Sequence, residues 1–555
     1  MPLSKGSNRL WLLSGLLLLV TSDALAYRGT FEARQIDRRL IPRLNRRDAT
    51  VSAGNETVGN IGNSQYVSNI TIGGVTFNVI LDTGSSDLWV TGSVPNATSL
   101  NADGSIAYAI GNAGGPILSA QVDFSDFTVQ KQAFMQVNDT TSFGALASIG
   151  VTGLAGLGPG FSSVIKNKVG SAGDTLLDNI FQACICAHCP LNRTTSNFVT
   201  FLLNRRLKSD NGTTHGEFTI SEVLPGYDEV LSEPKLPVNE LKGSDKLNQH
   251  WTTVLDAITG PDGKNISLGS IVDGTPKGKL VTILDSGFTL PQVPRKVSDA
   301  IYGRVNGANY SVDDGLWLIP CGQELNISIV FGGVKFFIHP LDTSSSEFGY
   351  KFSDGTEACA GAFQPISTAF SLGGQYDAVM GQSFLRNAYT LLNWGDFVDE
   401  TSAARGTPYV QMEPMTGQAQ AHKEFVADRL GGVDTTGDSK WKLSNTQKSS
   451  PVSKGERVQH IVGFAERNKI IIGVCAGIGL LIIVALICLC CCRRRRSRKA
   501  GAGRSMLPAN RIDLNRLSGE GRYRSMKDPR SVPHTHSAGS NKHDDPFSDM
   551  TPVRH

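Results

Sequence analysis

Excess charge is the first thing this chain lacks. Lys and Arg number 53 against 50 Asp and Glu, a formal balance of +3, which leaves no case for nucleic-acid binding. The small basic surplus gathers ahead of residue 48 and after residue 492. Cysteine is scarce, with ten in 555 residues. Three of them crowd into Cys184-Ile185-Cys186-Ala187-His188-Cys189, a candidate zinc set. Ligands packed that closely leave little freedom for a tetrahedron, and no second cluster lies nearby, so no metal and no cofactor are expected. One local disulfide and one leftover cysteine, open to pairing between chains, is the reading favoured in an oxidising compartment. Helix-like stretches are few, residues 174–183 being one. The central region instead alternates short β-type runs, such as Val122-Asp123-Phe124-Ser125-Asp126-Phe127-Thr128-Val129, with Gly- and Asn-rich turns.

Length alone suggests three or four domains, but much of the chain is not globular in composition. Lys5 and Arg9 precede an apolar run over residues 10–20, and Ala24-Leu25-Ala26 offers a small-x-small cleavage site, so residues 1–26 read as a secretory signal. Residues 27–47 are basic, poor in apolar side chains, and end at the dibasic pair Arg46-Arg47. A second apolar run, residues 470–492, carries no charge and is long enough to cross a bilayer core of about 30 Å as a helix. Arg493-Arg494-Arg495-Arg496-Ser497-Arg498-Lys499 follows at once and puts residues 493–555 in the cytoplasm, a single-pass type I topology. A lipid-anchor signal would end in its apolar tail, whereas here a long hydrophilic segment follows. Cys488, Cys490, Cys491 and Cys492 at that membrane edge are palmitoylation candidates or plain helix filling. Asn55, Asn69, Asn96, Asn138, Asn192, Asn211, Asn265, Asn309 and Asn326 each open a glycosylation sequon, all between the signal and the apolar run. Together they predict a glycosylated lumenal or extracellular region, at the cell surface or in an acidic vacuole or endosome. Residues 413–469 are rich in Gly, Ser, Thr, Gln and Lys and read as a flexible stalk. Residues 493–555 read as a disordered tail.

Chemistry enters at Asp82-Thr83-Gly84-Ser85-Ser86-Asp87-Leu88-Trp89-Val90 and its shorter copy, Ile283-Leu284-Asp285-Ser286-Gly287. In each, an apolar strand runs into an acid, a small hydroxyl residue and a glycine. The glycine permits a tight turn that leaves the carboxylate at the tip of a rigid strand. Two acids brought face to face cannot both ionise cheaply, so they share a proton. One then serves as general base and the other as general acid.

The longer motif resembles, almost letter for letter, the active-site signature of the pepsin-like aspartic proteases, and the resemblance runs through most of residues 60–412. Tyr66-Val67-Ser68-Asn69-Ile70-Thr71-Ile72-Gly73 is similar to the family's opening strand, and Ser105-Ile106-Ala107-Tyr108 to the start of its flap. Leu154-Ala155-Gly156 and Val379-Met380-Gly381 resemble the paired elements under the active-site loops. Gly381-Gln382-Ser383-Phe384-Leu385-Arg386-Asn387-Ala388-Tyr389 is similar to a segment near the end of the second lobe.

The resemblance implies a mostly β, two-lobed fold, with lobes over residues 48–222 and 223–412 and a cleft between them. It also implies an acid endopeptidase, here of a membrane-anchored type with a fungal look, that acts on polypeptide substrates as a monomeric catalytic domain. Water held between Asp82 and Asp285 would attack the scissile carbonyl. Thr83 and Ser286 would tie the loops together, Ser85 would brace Asp82, and Trp89 would lie behind Tyr108 in a flap that continues to Gly111. Residues 27–47 would cover the cleft as a propeptide until activation, and Cys321 would pair with Cys359. Two positions depart from the family pattern. Phe288 stands where a hydroxyl residue usually braces the second acid, and Ala109-Ile110 replaces the flap's Gly-Thr. These departures sustain an alternative, a catalytically weak or inactive relative that binds peptides as a surface receptor or adhesion module.

Overall fold

A computed structural model describes residues 56–61, 63, 65–108, 111–138, 143–183, 197–210, 214–366, 374–397, 406–453, 456–457 and 486–493. The expected signal, propeptide, Cys184–Cys189 cluster and flap residues 109–110 lie outside them. By its contacts the chain divides into residues 1–468 and 469–555. In the second unit residues 486–493 are helical with exposed side chains. No helix among the described residues is long and apolar enough to cross a membrane, and most of the expected span, 470–485, is outside them.

The first unit is built from β-strands, and its two halves repeat one arrangement. Strand Gln65–Ile72 buries Tyr66, Val67, Ile70 and Ile72 and pairs antiparallel with Val75–Asp82. Gly73 and Gly74, at φ of 58° and 84°, make the turn between them. Val75–Asp82 then pairs in parallel with Gly153–Gly156, register Asp82 to Gly156. In the second half, Leu280–Leu284 pairs in parallel with Ala378–Met380, register Leu284 to Met380. Each acid therefore leaves the end of a buried strand that is hydrogen-bonded on both sides.

The largest sheet crosses residue 222, the expected lobe boundary. Strands Ala388–Asn393 and Tyr409–Pro414 join it, the former beside Phe198–Leu202 of the first half. A 7-stranded sheet and a 4-stranded sheet complete the second half. Trp251 and Trp394 stack edge to face, 4.6 Å apart, in the core. Cys321 and Cys359 form the implied disulfide.

The expected flexible stalk is corrected over its first part. Residues 415–457, where described, lie along the second half of the unit. Helix Gln418–Arg429 buries Ala421, Phe425 and Val426. Its Glu424 lies 3.0 Å from His339, and its His422 lies 3.0 Å from Glu324. Beyond it, the Arg304 guanidinium donates to the Ser444 carbonyl at 2.7 Å. Ser450 donates twice to Asp299, at 3.0 and 2.7 Å, and Glu456 accepts from Arg295 at 2.9 Å. The polar composition that suggested a stalk is that of a strap held by side-chain hydrogen bonds and ion pairs.

Candidate active site

Asp82 and Asp285 meet where the two halves touch, 5 % and 8 % exposed. Their carboxyls lie close enough to hydrogen-bond to each other. The glycines permit this approach: a Cβ on Gly84 would strike the Asp285 carboxyl, and one on Gly287 would strike that of Asp82. Each acid is also held by its own loop. Gly84 N–H donates to Asp82 Oδ1 and Gly287 N–H to Asp285 Oδ1, both at 2.8 Å.

The loops are locked to each other by four reciprocal bonds. Thr83 Oγ1 donates to the Leu284 carbonyl at 2.9 Å and accepts from Ser286 N–H at 2.9 Å. Ser286 Oγ donates to the Leu81 carbonyl at 2.7 Å and accepts from Thr83 N–H at 3.0 Å. All these groups are buried, so loss of any one would strand a partner away from water. Gln382 adds a further tie, its amide donating to the Ser286 carbonyl at 2.7 Å.

The two acids are braced unequally. Ser85 Oγ donates to Asp82 Oδ2 at 2.5 Å. At the corresponding place Phe288 offers only its backbone N–H, 3.2 Å from Asp285 Oδ1. Burial, then the charge of Asp82 and the hydrogen bond to it, hold the Asp285 carboxyl well above the usual carboxylate range.

The flap brings Tyr108 close to the first acid. Flap strands Thr98–Tyr108 and Gly111–Phe124 pair so that Tyr108 faces Gly111. Trp89 Nε1–H donates to the Tyr108 hydroxyl at 2.9 Å. Burial first, then the Asp82 charge, pushes the Tyr108 phenol upward, so it remains a protonated donor. Phe143 completes the aromatic backing, 4.9 Å from Trp89 and 6.2 Å from Tyr108.

Thus Asp82, Thr83, Gly84, Ser85, Trp89, Tyr108, Asp285, Ser286 and Gly287 converge at one place, with Gly111 paired to Tyr108 at the turn end of the flap strands. Of the sequon asparagines, Asn69, Asn96, Asn138, Asn265, Asn309 and Asn326 are exposed. Asn55, Asn192 and Asn211 lie outside the described residues. Three contributors escaped the sequence reading. Asp87, though inside the quoted motif, anchors the loop by accepting from Ser163 Oγ, Val164 N–H and Ile165 N–H at 2.6, 2.8 and 3.0 Å. Gln382 also lay in a quoted segment, but without a role. His250, whose Nδ1 is 3.0 Å from the Gly84 carbonyl, carried no signal at all.

Comparison with known proteins agrees with this geometry. Residues 65–398 match the family described as eukaryotic aspartyl protease. The chain is 26% identical over 404 residues to major aspartyl peptidase 1 of Cryptococcus neoformans var. grubii, covering 66% of this chain and 76% of that one. It is 28% identical over 351 residues to rhizopuspepsin-2 of Rhizopus niveus, covering 59% and 76%. A probable aspartic-type endopeptidase of Aspergillus fumigatus is 25% identical over 358 residues, covering 60% and 76%. With more than half of its length matched, the chain belongs to the eukaryotic aspartyl protease family and is an aspartic-type endopeptidase.

Proposed function

We propose that the chain cleaves polypeptides in acid through a water held between Asp82 and Asp285. The observation that carries this reading is the pair of carboxyls close enough to hydrogen-bond, on loops locked by Thr83 and Ser286, with the Asp285 carboxyl held well above the usual carboxylate range. Asp82, ionised, takes a proton from the water as it attacks the scissile carbonyl. Asp285, protonated, donates a hydrogen bond to the carbonyl oxygen, where negative charge develops. The proton gained by Asp82 then passes to the leaving nitrogen. Tyr108 closes over the substrate backbone with its phenol protonated.

The same reading gives the chain a cleaved signal over residues 1–26 and an inhibitory basic propeptide over 27–47. A single membrane helix over residues 470–492 leaves a glycosylated, monomeric catalytic domain outside and a tail inside. Its address is the cell surface, with an acidic vacuole or endosome as the alternative. What supports this is the apolar run with its arginine flank, and six described sequon asparagines that are all exposed.

The test is digestion of an unfolded protein by the acid-treated full chain between about pH 3 and 7, with products mapped by mass spectrometry. Internal cleavages strongest in acid are expected. A folded, propeptide-free chain that binds peptides and cuts none of them would leave the binding-module reading instead.

A further inference from the structure

Among the described residues His250 is the one imidazole hydrogen-bonded to the active-site loops, and the mechanism above gives it no task. The chain on either side of it is pinned. Buried Gln249 donates to the Asn239 carbonyl at 3.1 Å and accepts from Leu241 N–H at 2.7 Å, while its own carbonyl accepts from Ser162 Oγ at 2.6 Å. Buried Trp251 donates to the Leu157 carbonyl at 3.0 Å. The imidazole itself is half-buried.

Its tautomer follows from its partner. A carbonyl oxygen only accepts, so the contact with Gly84 places a hydrogen on Nδ1. In the neutral ring Nε2 is then the acceptor, and among the described residues no hydrogen-bond partner faces it. Gly84 is also the residue whose Cα lies against the Asp285 carboxyl. The imidazole therefore borders the loop that carries Asp82, and the Asp82 charge acts on it.

We propose that His250 is a specificity-determining residue of this cleft: neutral, its Nε2 accepts from a donor side chain of the substrate, and protonated, it repels cationic side chains. The proposal rests on the peptidase reading above. Asp82 is the charged group that acts on the ring, and Lys246 of the same connection is turned onto Phe161, 4.6 Å from its centroid. Burial pushes the imidazole below the ordinary histidine value, against the opposing effects of the Gly84 carbonyl and Asp82. Its proton is therefore exchanged at acid pH, where a proton-sharing carboxyl pair operates. Gain of that proton turns an acceptor into a cation, so substrate preference changes while the reaction does not.

The experiment uses the acid-treated full chain in detergent and capped peptides with no other ionisable group. Arginine or norleucine is placed at one position at a time on either side of the scissile bond. Neither side chain titrates between about pH 3 and 7, and the titration of the dyad cancels in the ratio of the two kcat/KM values. For the wild type, the arginine-to-norleucine ratio should rise by about tenfold or more from pH 3 to pH 7 at one position or more, the size of a single close charge interaction. In His250→Asn, which keeps a donor for Gly84 but does not titrate, and in His250→Phe, the ratio should be flat. A flat ratio at every position in a wild type that cleaves overturns this proposal alone. An equal rise in either variant also overturns it. A wild type that cleaves neither peptide overturns the peptidase reading and this proposal with it.

Discussion

Gly84 and Gly287 show why single residues here resist substitution: each occupies the space into which the other loop's carboxyl fits. The motif made these residues legible, because a tight turn after an acid needs glycine whatever surrounds it. Asp87 and His250 were not legible in the same way, since their partners, the turn of helix Val164–Val169 and the Gly84 carbonyl, are set only by the fold. Phe288 gives the sharpest test at this scale. Replacing it with serine offers Asp285 the hydroxyl that Asp82 receives from Ser85. A hydrogen bond to the ionised form favours that form and lowers the Asp285 pKa. At about 1.5–3 kcal/mol for a bond to a charged group, the alkaline limb of the kcat/KM–pH profile should move down by about one unit. A profile that stays in place would show that Phe288 does not set the acidity of the pair.

Among the elements, strands were the most legible, since alternation of apolar and polar residues is visible before any tertiary contact forms. Helix Gln418–Arg429 was not, because it buries only three side chains and is held mainly by polar partners on other elements. Its anchoring has a measurable consequence. Phe425 is fully buried, and Phe425→Ala should destabilise the chain by about 3–5 kcal/mol in denaturant unfolding. A change near zero would return this segment to a loose stalk. A second clasp joins the halves at Asp342, which accepts from Arg205, from Arg386 at 2.7 Å and from Asn387 at 3.0 Å. Burial opposes its ionisation, but the Arg205 and Arg386 charges outweigh burial and hold the carboxyl down to about 2. With the folded value below the ordinary one of 3.8, its stabilisation is full above that value and is lost as pH falls toward 2. Asp342→Asn, which leaves two guanidinium groups without their counter-charge, should cost about 3–5 kcal/mol at neutral pH. Its penalty in thermal unfolding should shrink as pH falls below about 4. A penalty independent of pH would contradict this account of the clasp.

Across the whole molecule, the repeated strand–loop–strand arrangement brings two distant acids to one point, and a sheet shared by both halves keeps them there. The repeat was readable from two motifs about two hundred residues apart. The shared sheet was not, because pairing of Phe198–Leu202 with Ala388–Asn393 leaves no local trace in either strand. Acid chemistry and acid tolerance then coincide: the Asp285 carboxyl is held well above the usual range, while Asp342 keeps its charge until about pH 2. The central claim is that both acids are needed and act as a unit. Its most direct measurement is kcat/KM for one peptide across about pH 3 to 7, for wild type, Asp82→Asn and Asp285→Asn. Each variant should fall by a factor of about a hundred to ten thousand at the wild-type optimum, the range for loss of a general acid or base. A variant that stays folded and cleaves at close to the wild-type rate would contradict the paired-carboxyl mechanism.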